Sequence, residues 1–443
     1  MPALNTDLYE LTMAAAYWLA GKQNEIATFE LSVRRLPERR NFLVSAGLEQ
    51  ALDYLQNLRF EASEIDYLRS LPQFAKAPAE FFQFLGELRF QGDLFALPEG
   101  TPFFASEPLA IVRAPIIQAQ LVETYLLSTF AFQTSIASKA ARCVIAAEGR
   151  PVVEFGSRRA HGPDAGVLAG RAAFIGGCAG TSNTESGMRF GIPVSGTAAH
   201  SWTMSFDDEE ESFRALQRSL GDNTVFLLDT YDTIEAAHIV TRLDGTAWGV
   251  RLDSGDLVEL SKNVRSILDR AGLQKVKIFA TNDLDEHRIA ELVRAGAPID
   301  AFGVGTQLAT SADAPSLSVV YKMVELRRDG GVQYTAKFSD EKSSKPGAKQ
   351  VFRYESHDVL ALQTECISDV GGEPLVRPVL IAGKPVEPRP SITRIQERAR
   401  KNIEALPREL FDLDGPVPYD VAVSRRLEDL TETVRDRYQA TVR

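Results

Sequence analysis

A chain of 443 residues, 44% hydrophobic and 25% charged, can hold two or three domains around a large buried core. Its formal net charge of −11 and the lack of a Lys/Arg-rich run argue against nucleic acid or a membrane surface as partner, so any anion site must be a local pocket. Cys143, Cys178 and Cys366 are widely spaced and form no CxxC pair, and Met1–Glu10 has neither positive charge nor an apolar stretch; a reducing, cytoplasmic setting is expected.

In chain order, Asp7–Ala20 reads as a helix, with Asp7 and Glu10 approximating a capping box. Thr28–Arg34 reads as a strand, and extended segments follow between Leu88 and Val112. The apolar stretch Pro115–Ile136 is interrupted at helical spacing by Gln118, Gln120, Glu123 and Gln133, which predicts a buried helix rather than a membrane span, with helices continuing to about Ala147. Short apolar runs then recur at Val152–Phe155, Val194–Gly196, Val225–Leu228, Ala247–Leu252, Val276–Ala280 and Ile299–Val304. Helical patterns at Thr233–Arg242, Leu257–Ala271 and Leu284–Ala295 separate the later runs. Sequential βα units imply parallel strands with right-handed crossovers. Residues 150–325 are therefore expected to form an irregular TIM-like α/β barrel, with an open doubly wound sheet as the alternative. Hairpin-like stretches follow at Val332–Phe338, Gln350–Tyr354 and Val359–Thr364, with a loop at Asp340–Lys349 and closing helices at Ile392–Ala405 and Ser424–Ala440. The flanks, residues 1–149 and 326–443, are expected to join into a second α/β domain.

Each strand run in the middle ends in a polar or glycine cluster: 156–159, 197–200, 229–232, 253–256, 281–283 and 303–306. In a barrel all six would sit at the C-terminal mouth, where such folds keep their chemistry. Gly303-Val-Gly-Thr306 allows backbone N–H groups to approach a phosphate, although a tight turn would use the same residues. Alternation places Arg251 and Asp253 on one strand face, fit for a ligand with anionic groups and hydroxyls or Mg²⁺, or for an internal ion pair. Asp256 reads as the N-cap of the next helix. His200 is a candidate acid/base or nucleophile, or a structural histidine; His161, His238, His287 and His357 show no metal spacing. Phe155 followed by Arg158 and Arg159 suits a flat heterocycle bearing a carboxylate, with solvated arginines as the alternative. There is no GxxxxGK[ST], GxSxG or HExxH motif.

Seven segments carry a resemblance: Thr6-Asp-Leu-Tyr-Glu-Leu-Thr-Met13, Phe29-Glu-Leu, Glu154-Phe-Gly-Ser-Arg-Arg-Ala160, Gly-Thr-Ala-Ala-His200-Ser, Val-Arg251-Leu-Asp-Ser-Gly-Asp256, Thr-Asn282-Asp and Phe-Gly-Val-Gly-Thr306. Together they resemble nicotinate phosphoribosyltransferases over about residues 5–325, and more distantly the nicotinamide enzymes. The resemblance implies a barrel with a second α/β domain, a homodimer with active sites at the interface, and synthesis of nicotinate mononucleotide from nicotinate and phosphoribosyl pyrophosphate, coupled to ATP with Mg²⁺. By match, His200 would be phosphorylated and act with Arg251 and Asp253. Tyr9, Phe155, Arg158, Thr197 and Arg251 would surround the pyridine, and Gly305, Thr306 and Asn282 the ribose phosphate. Arg34 or Arg35 would reach pyrophosphate from a neighbouring subunit. Ser182 stands where the nicotinamide enzymes carry an acid, and an acid would repel a carboxylate, so nicotinate is the expected substrate. Quinolinate or nicotinamide transfer, or a silent nucleotide sensor on the same scaffold, are the rival readings.

Overall fold

The structure, a computed structural model, describes residues 3–338 and 344–442. It contains two compact units, Met1–Thr134 with Ser316–Arg443, and Ser135–Pro315.

In the first unit the two ends of the chain share one antiparallel sheet. Its strands run in the order Gly331–Tyr334, Val319–Arg328, Ile26–Val33, Pro108–Pro115, Asp93–Ala96, Arg377–Ile381 and Lys384–Pro385. Ile26–Val33 lies between Pro108–Pro115 and Val319–Arg328 and is buried at seven of its eight positions, which explains a strand with little polar alternation. Its polar residues are matched: Glu30 pairs with Lys349 at 3.0 Å, and the Thr28 hydroxyl donates to Glu325 Oε2 at 3.2 Å. A smaller sheet orders Glu373–Pro374, Lys349–Arg353, His357–Leu362 and Asp420–Val423. Residues 340–343 of the expected loop lie outside the described residues.

Helix Leu8–Leu19 forms, but the expected capping box does not: Asp7 makes no side-chain cap bond. The Thr124 hydroxyl donates to Asp7 Oδ2 at 2.8 Å, and the Thr124 N–H donates to Glu10 Oε1 at 2.9 Å. Both carboxylates thus serve the first turn of another helix, Glu123–Ala146. The stretch expected as one buried helix divides into Ile116–Leu121 and Glu123–Ala146. Its polar interruptions are satisfied internally, Gln120 on Glu123 at 2.8 Å and Gln133 on Gln50 at 2.9 Å. Among the described residues no helix is long and apolar enough to cross a membrane.

The second unit holds six parallel strands: β1 (Val152–Glu154), β2 (Gly180–Thr181), β3 (Val225–Leu227), β4 (Gly249–Leu252), β5 (Lys277–Ala280) and β6 (Ala301–Val304). Their order is β2-β1-β6-β5-β4-β3. The first strand lies beside the last, and the order then runs backward to β3. That is the cyclic order of a barrel opened between β2 and β3, not of a doubly wound sheet. The expected strand Val194–Gly196 falls in that gap and contributes one bridge, Val194 to Thr181. Pro193 has no N–H to extend the ladder, and only the Thr181 and Ser195 N–H groups close bonds there, each at 3.0 Å. Strand β2 is two residues long and left no apolar run to read. Asp232, Asp256 and Asp285 cap the helices Thr233–Thr241, Leu257–Arg270 and Glu286–Arg294, which follow β3, β4 and β5.

Candidate active site

Parallel strands bring their C-terminal ends to one rim, and the side chains there interlock. Arg251, third residue of β4, sends Nη2 to Asp253 Oδ1 at 2.8 Å, Nη1 to Thr197 Oγ1 at 2.8 Å and Nε to Thr281 Oγ1 at 3.0 Å. The Thr281 hydroxyl donates in turn to Asp253 Oδ1. The other Asp253 oxygen, Oδ2, faces His200 Nε2 at 3.8 Å, while His200 Nδ1 lies 3.2 Å from Thr230 Oγ1. His200, Arg251, Asp253 and Thr197 therefore form one constellation. The internal ion pair and the ligand-facing pair weighed from sequence are the same object: Arg251 is 12% exposed, and Asp253 and His200, at 28% and 36%, open to solvent.

Asp229 and Thr230, at the end of β3, belong to this group although sequence alone singled out neither. The only sign of them was the polar cluster 229–232, one among six. The Ser254 hydroxyl donates to Asp229 Oδ2, and Asp229 Oδ1 is buried with no hydrogen-bond partner among the described residues. Among the described residues no three His, Cys, Asp or Glu side chains are grouped to hold a metal by themselves. Asp229 and Asp253 supply hard carboxylate oxygens, and an ion of the Mg²⁺ type completes its shell with water and substrate phosphates, so the donor set fits.

Across the rim, Phe155 follows β1 and meets Phe279 edge-on at 5.4 Å between ring centres. Gly303 makes this packing possible, because a Cβ there would sit 2.7 Å from Thr281 Cγ2, 2.9 Å from Phe279 Cζ and 3.2 Å from Phe155 Cδ2. Gly305 precedes the short helix Thr306–Ala309 and packs on Gly156, whose Cβ would come within 2.6 Å of the Gly305 carbonyl. Thr306 is exposed. Ser182 is half-buried just after β2, and its N–H donates to the Glu154 carbonyl at 2.9 Å. The buried Glu154 carboxyl accepts from Thr181 Oγ1 at 2.6 Å, and burial raises it above its ordinary range. Asn282 is exposed with φ +86, a left-handed conformation asparagine tolerates. Arg158 and Arg159 are exposed on the single turn Ser157–Arg159. A cavity of about 400 Å³ lies in this unit, lined by Val153, Thr197, Val225, Trp248 and Phe279.

Tyr9 and Arg34 belong to the first unit. Tyr9 is 45% exposed, and desolvation, then the hydrogen-bonded Glu123, holds its phenol protonated beyond the usual range. Arg34 lines a cavity of about 190 Å³ with Lys322, Lys337 and Lys345. Glu30 in its wall is already paired with Lys349, so the pocket is basic. The lysines come from separate segments, which is why no basic run marked this pocket in the sequence.

An irregular barrel whose rim holds a histidine beside a carboxylate–arginine pair defines the chain as an α/β-barrel enzyme. Residues 4–131 match the nicotinate phosphoribosyltransferase (NAPRTase) N-terminal domain, 151–361 the NAPRTase family and 339–431 the C-terminal domain. A Mycobacterium tuberculosis protein, nicotinate phosphoribosyltransferase pncB2, is 46% identical over 437 residues, covering 96% of this chain and 92% of its own. A Bacillus subtilis nicotinate phosphoribosyltransferase is 39% identical over 458 residues, covering 95% and 93%. The crystal structure of human nicotinic acid phosphoribosyltransferase superposes with a TM-score of 0.84 at 28% identity, covering 97% of this chain and 99% of that one. The chain belongs to the nicotinate phosphoribosyltransferase family.

Proposed function

We propose that this enzyme joins nicotinate to phosphoribosyl pyrophosphate, giving nicotinate mononucleotide and pyrophosphate, and that ATP drives the cycle through a phosphohistidine at His200. The observation that carries the reading is the grip of Asp253, which holds Arg251 with one oxygen and faces His200 with the other. In the transfer step the pyridine nitrogen forms a bond to ribose C1 as the bond from C1 to pyrophosphate breaks. Phe155 and Tyr9 offer aromatic faces to the pyridine, and Arg251 and Arg158 offer cations to its carboxylate. Ser182 leaves room for that carboxylate without repelling it. The turn at Gly305 and Thr306, with Asn282, takes the ribose 5-phosphate. Asp229 and Asp253 would hold Mg²⁺, which would supply positive charge to the leaving pyrophosphate. In the ATP half-reaction a His200 ring nitrogen bonds to the γ-phosphorus as the bond to ADP breaks; water later releases phosphate. Thr230 Oγ1, 3.2 Å from Nδ1, orients the imidazole ring, and Asp253 Oδ2 stands 3.8 Å from Nε2, so the ring meets the phosphoryl group already turned.

The chain is proposed to work as a cytoplasmic homodimer in which Tyr9 and the Arg34 pocket complete the partner's site. Mixing inactive Arg34→Ala and Arg251→Ala proteins should restore part of the activity; no restoration would place both residues in one subunit's site. Pyrophosphate release measured with nicotinate, nicotinamide and quinolinate, with and without ATP, tests the whole reading. Strong preference for nicotinate with ATP stimulation is expected, and equal kcat/KM for nicotinate and nicotinamide would overturn it.

A further inference from the structure

One lysine is buried where the two loops proposed to hold the ribose phosphate are anchored. Lys139, in the second half of the helix Glu123–Ala146, is 1% exposed, and its Nζ lies 2.5 Å from Glu286 Oε2 and 3.0 Å from Asp313 Oδ1. Glu286 opens the helix that follows Asn282, three residues beyond Asp283. Asp313 lies in the turns that follow the helix begun by Thr306. Those turns are tightly knitted to it: the Ala312 N–H bonds to the Gln307 carbonyl at 3.1 Å and the Ser311 N–H to the Leu308 carbonyl at 3.0 Å. Ser311 is buried in a left-handed conformation with φ +47, and its hydroxyl donates to the Ala314 carbonyl at 2.9 Å. A shift of Asp313 therefore moves the Thr306 turn with it.

We propose that Lys139 is a positioning residue, setting the spacing between the Asn282 loop and the Gly305–Thr306 turn and hence the fit of the phosphoribosyl group; this rests on the phosphate role given to those loops above. Burial alone raises the Glu286 carboxyl, yet Lys139 and then Arg142, 2.8 Å from Oε1, hold it below its ordinary range. The carboxylate is thus charged, and ion pairs from two loops converge on one ammonium group. Apolar packing of equal volume could stabilise a core as well as buried charges do, but it would not fix two loops to one point. Lys139 touches both carboxylates, Glu286 and Asp313, from one ammonium group.

The test uses the full-length enzyme with three variants: Lys139→Met, Asp313→Asn and Gly305→Val. Asp313 is 25% exposed and asparagine keeps its shape, so Asp313→Asn cuts one arm of the link while Lys139 stays paired with Glu286, and it decides the matter if Lys139→Met fails to fold. Both link variants should raise KM for phosphoribosyl pyrophosphate on the order of tenfold while KM for nicotinate and the ATP-dependent labelling of His200 stay as in the parent. A merely structural lysine would lower the melting temperature without that split, and an unchanged KM in Asp313→Asn would overturn the proposal. Gly305→Val separates the two layers: normal phosphoribosyl pyrophosphate binding in it removes the phosphate role of the turn itself. Weakened binding there beside normal binding in Asp313→Asn removes only the role of Lys139.

Discussion

His200 carries the sharpest expectation at the scale of single residues. Incubated with Mg-ATP, the protein should acquire acid-labile, base-stable phosphate on the peptide containing residues 197–204. His200→Asn keeps the approximate size of the side chain but cannot form phosphohistidine, so label and ATP stimulation should vanish together. Some ATP-independent transfer should survive, because Arg251 and Asp253 still hold each other. Loss of transfer both with and without ATP would instead make His200 a general base. Gly303 tests the packing beneath the rim. Gly303→Ala forces Thr281, Phe279 and Phe155 apart and should cost about 1–3 kcal/mol of stability. Because Thr281 also holds Arg251 and Asp253, kcat/KM for nicotinate should fall with it; a variant with unchanged melting temperature and kinetics would refute the contact.

At the scale of elements, helix caps and strand order do separate jobs. Asp256 accepts from the N–H groups of Val258 and Glu259 at 3.0 and 3.2 Å and sits only three residues past Asp253. Asp256→Ala should cost about 1 kcal/mol in stability and leave KM for both substrates unchanged, as chemical denaturation and steady-state kinetics can show. A large KM effect would mean that Asp256 touches a ligand. The three barrel helices read from sequence end within two residues of the observed ones, because their apolar periodicity and capping aspartates are local signals. β2 was not legible in that way, and the run Val194–Gly196 gave a single bridge rather than the expected strand. A two-residue strand exists only because β1 pairs with it, a tertiary contact with no local pattern.

For the whole molecule, the two chain ends meet in one sheet and bury a carboxyl pair. Glu107 is fully buried, accepts the Phe104 N–H at 2.8 Å, and is raised well above its ordinary range by burial first and by Asp358 second. Asp358 meanwhile holds Arg353 at 2.6 Å and the Tyr419 hydroxyl at 3.2 Å. The folded state keeps a proton on Glu107 that the unfolded chain gives up above its ordinary carboxyl pKa. Stability from this group is therefore complete below that value and drains away as pH rises toward the raised folded pKa. Glu107→Gln mimics the protonated form, so its melting temperature should exceed the parent's at pH 8, with the gap closing toward pH 4.5. A gap that is constant with pH would show that Glu107 is ionised in the fold.

The sequence by itself determined what depends on local chemistry: the βα alternation, the cap at Asp256, and the residue types gathered at strand ends, including His200, Arg251, Asp253 and Thr197. It also carried the family resemblance, since those motifs recur as short contiguous strings. Only the tertiary structure decided which strand ends are neighbours, and so that Asp229, Thr230 and Thr281 join the site and that Asp7 and Glu10 serve Thr124 rather than their own helix. The same holds for the pocket of Arg34 with Lys322, Lys337 and Lys345 and for the buried link of Lys139 to Glu286 and Asp313. The physical reason is common to all of them: hydrogen bonds and ion pairs act over a few ångströms in space, and residues a hundred positions apart carry no mark of their partner until the chain has folded.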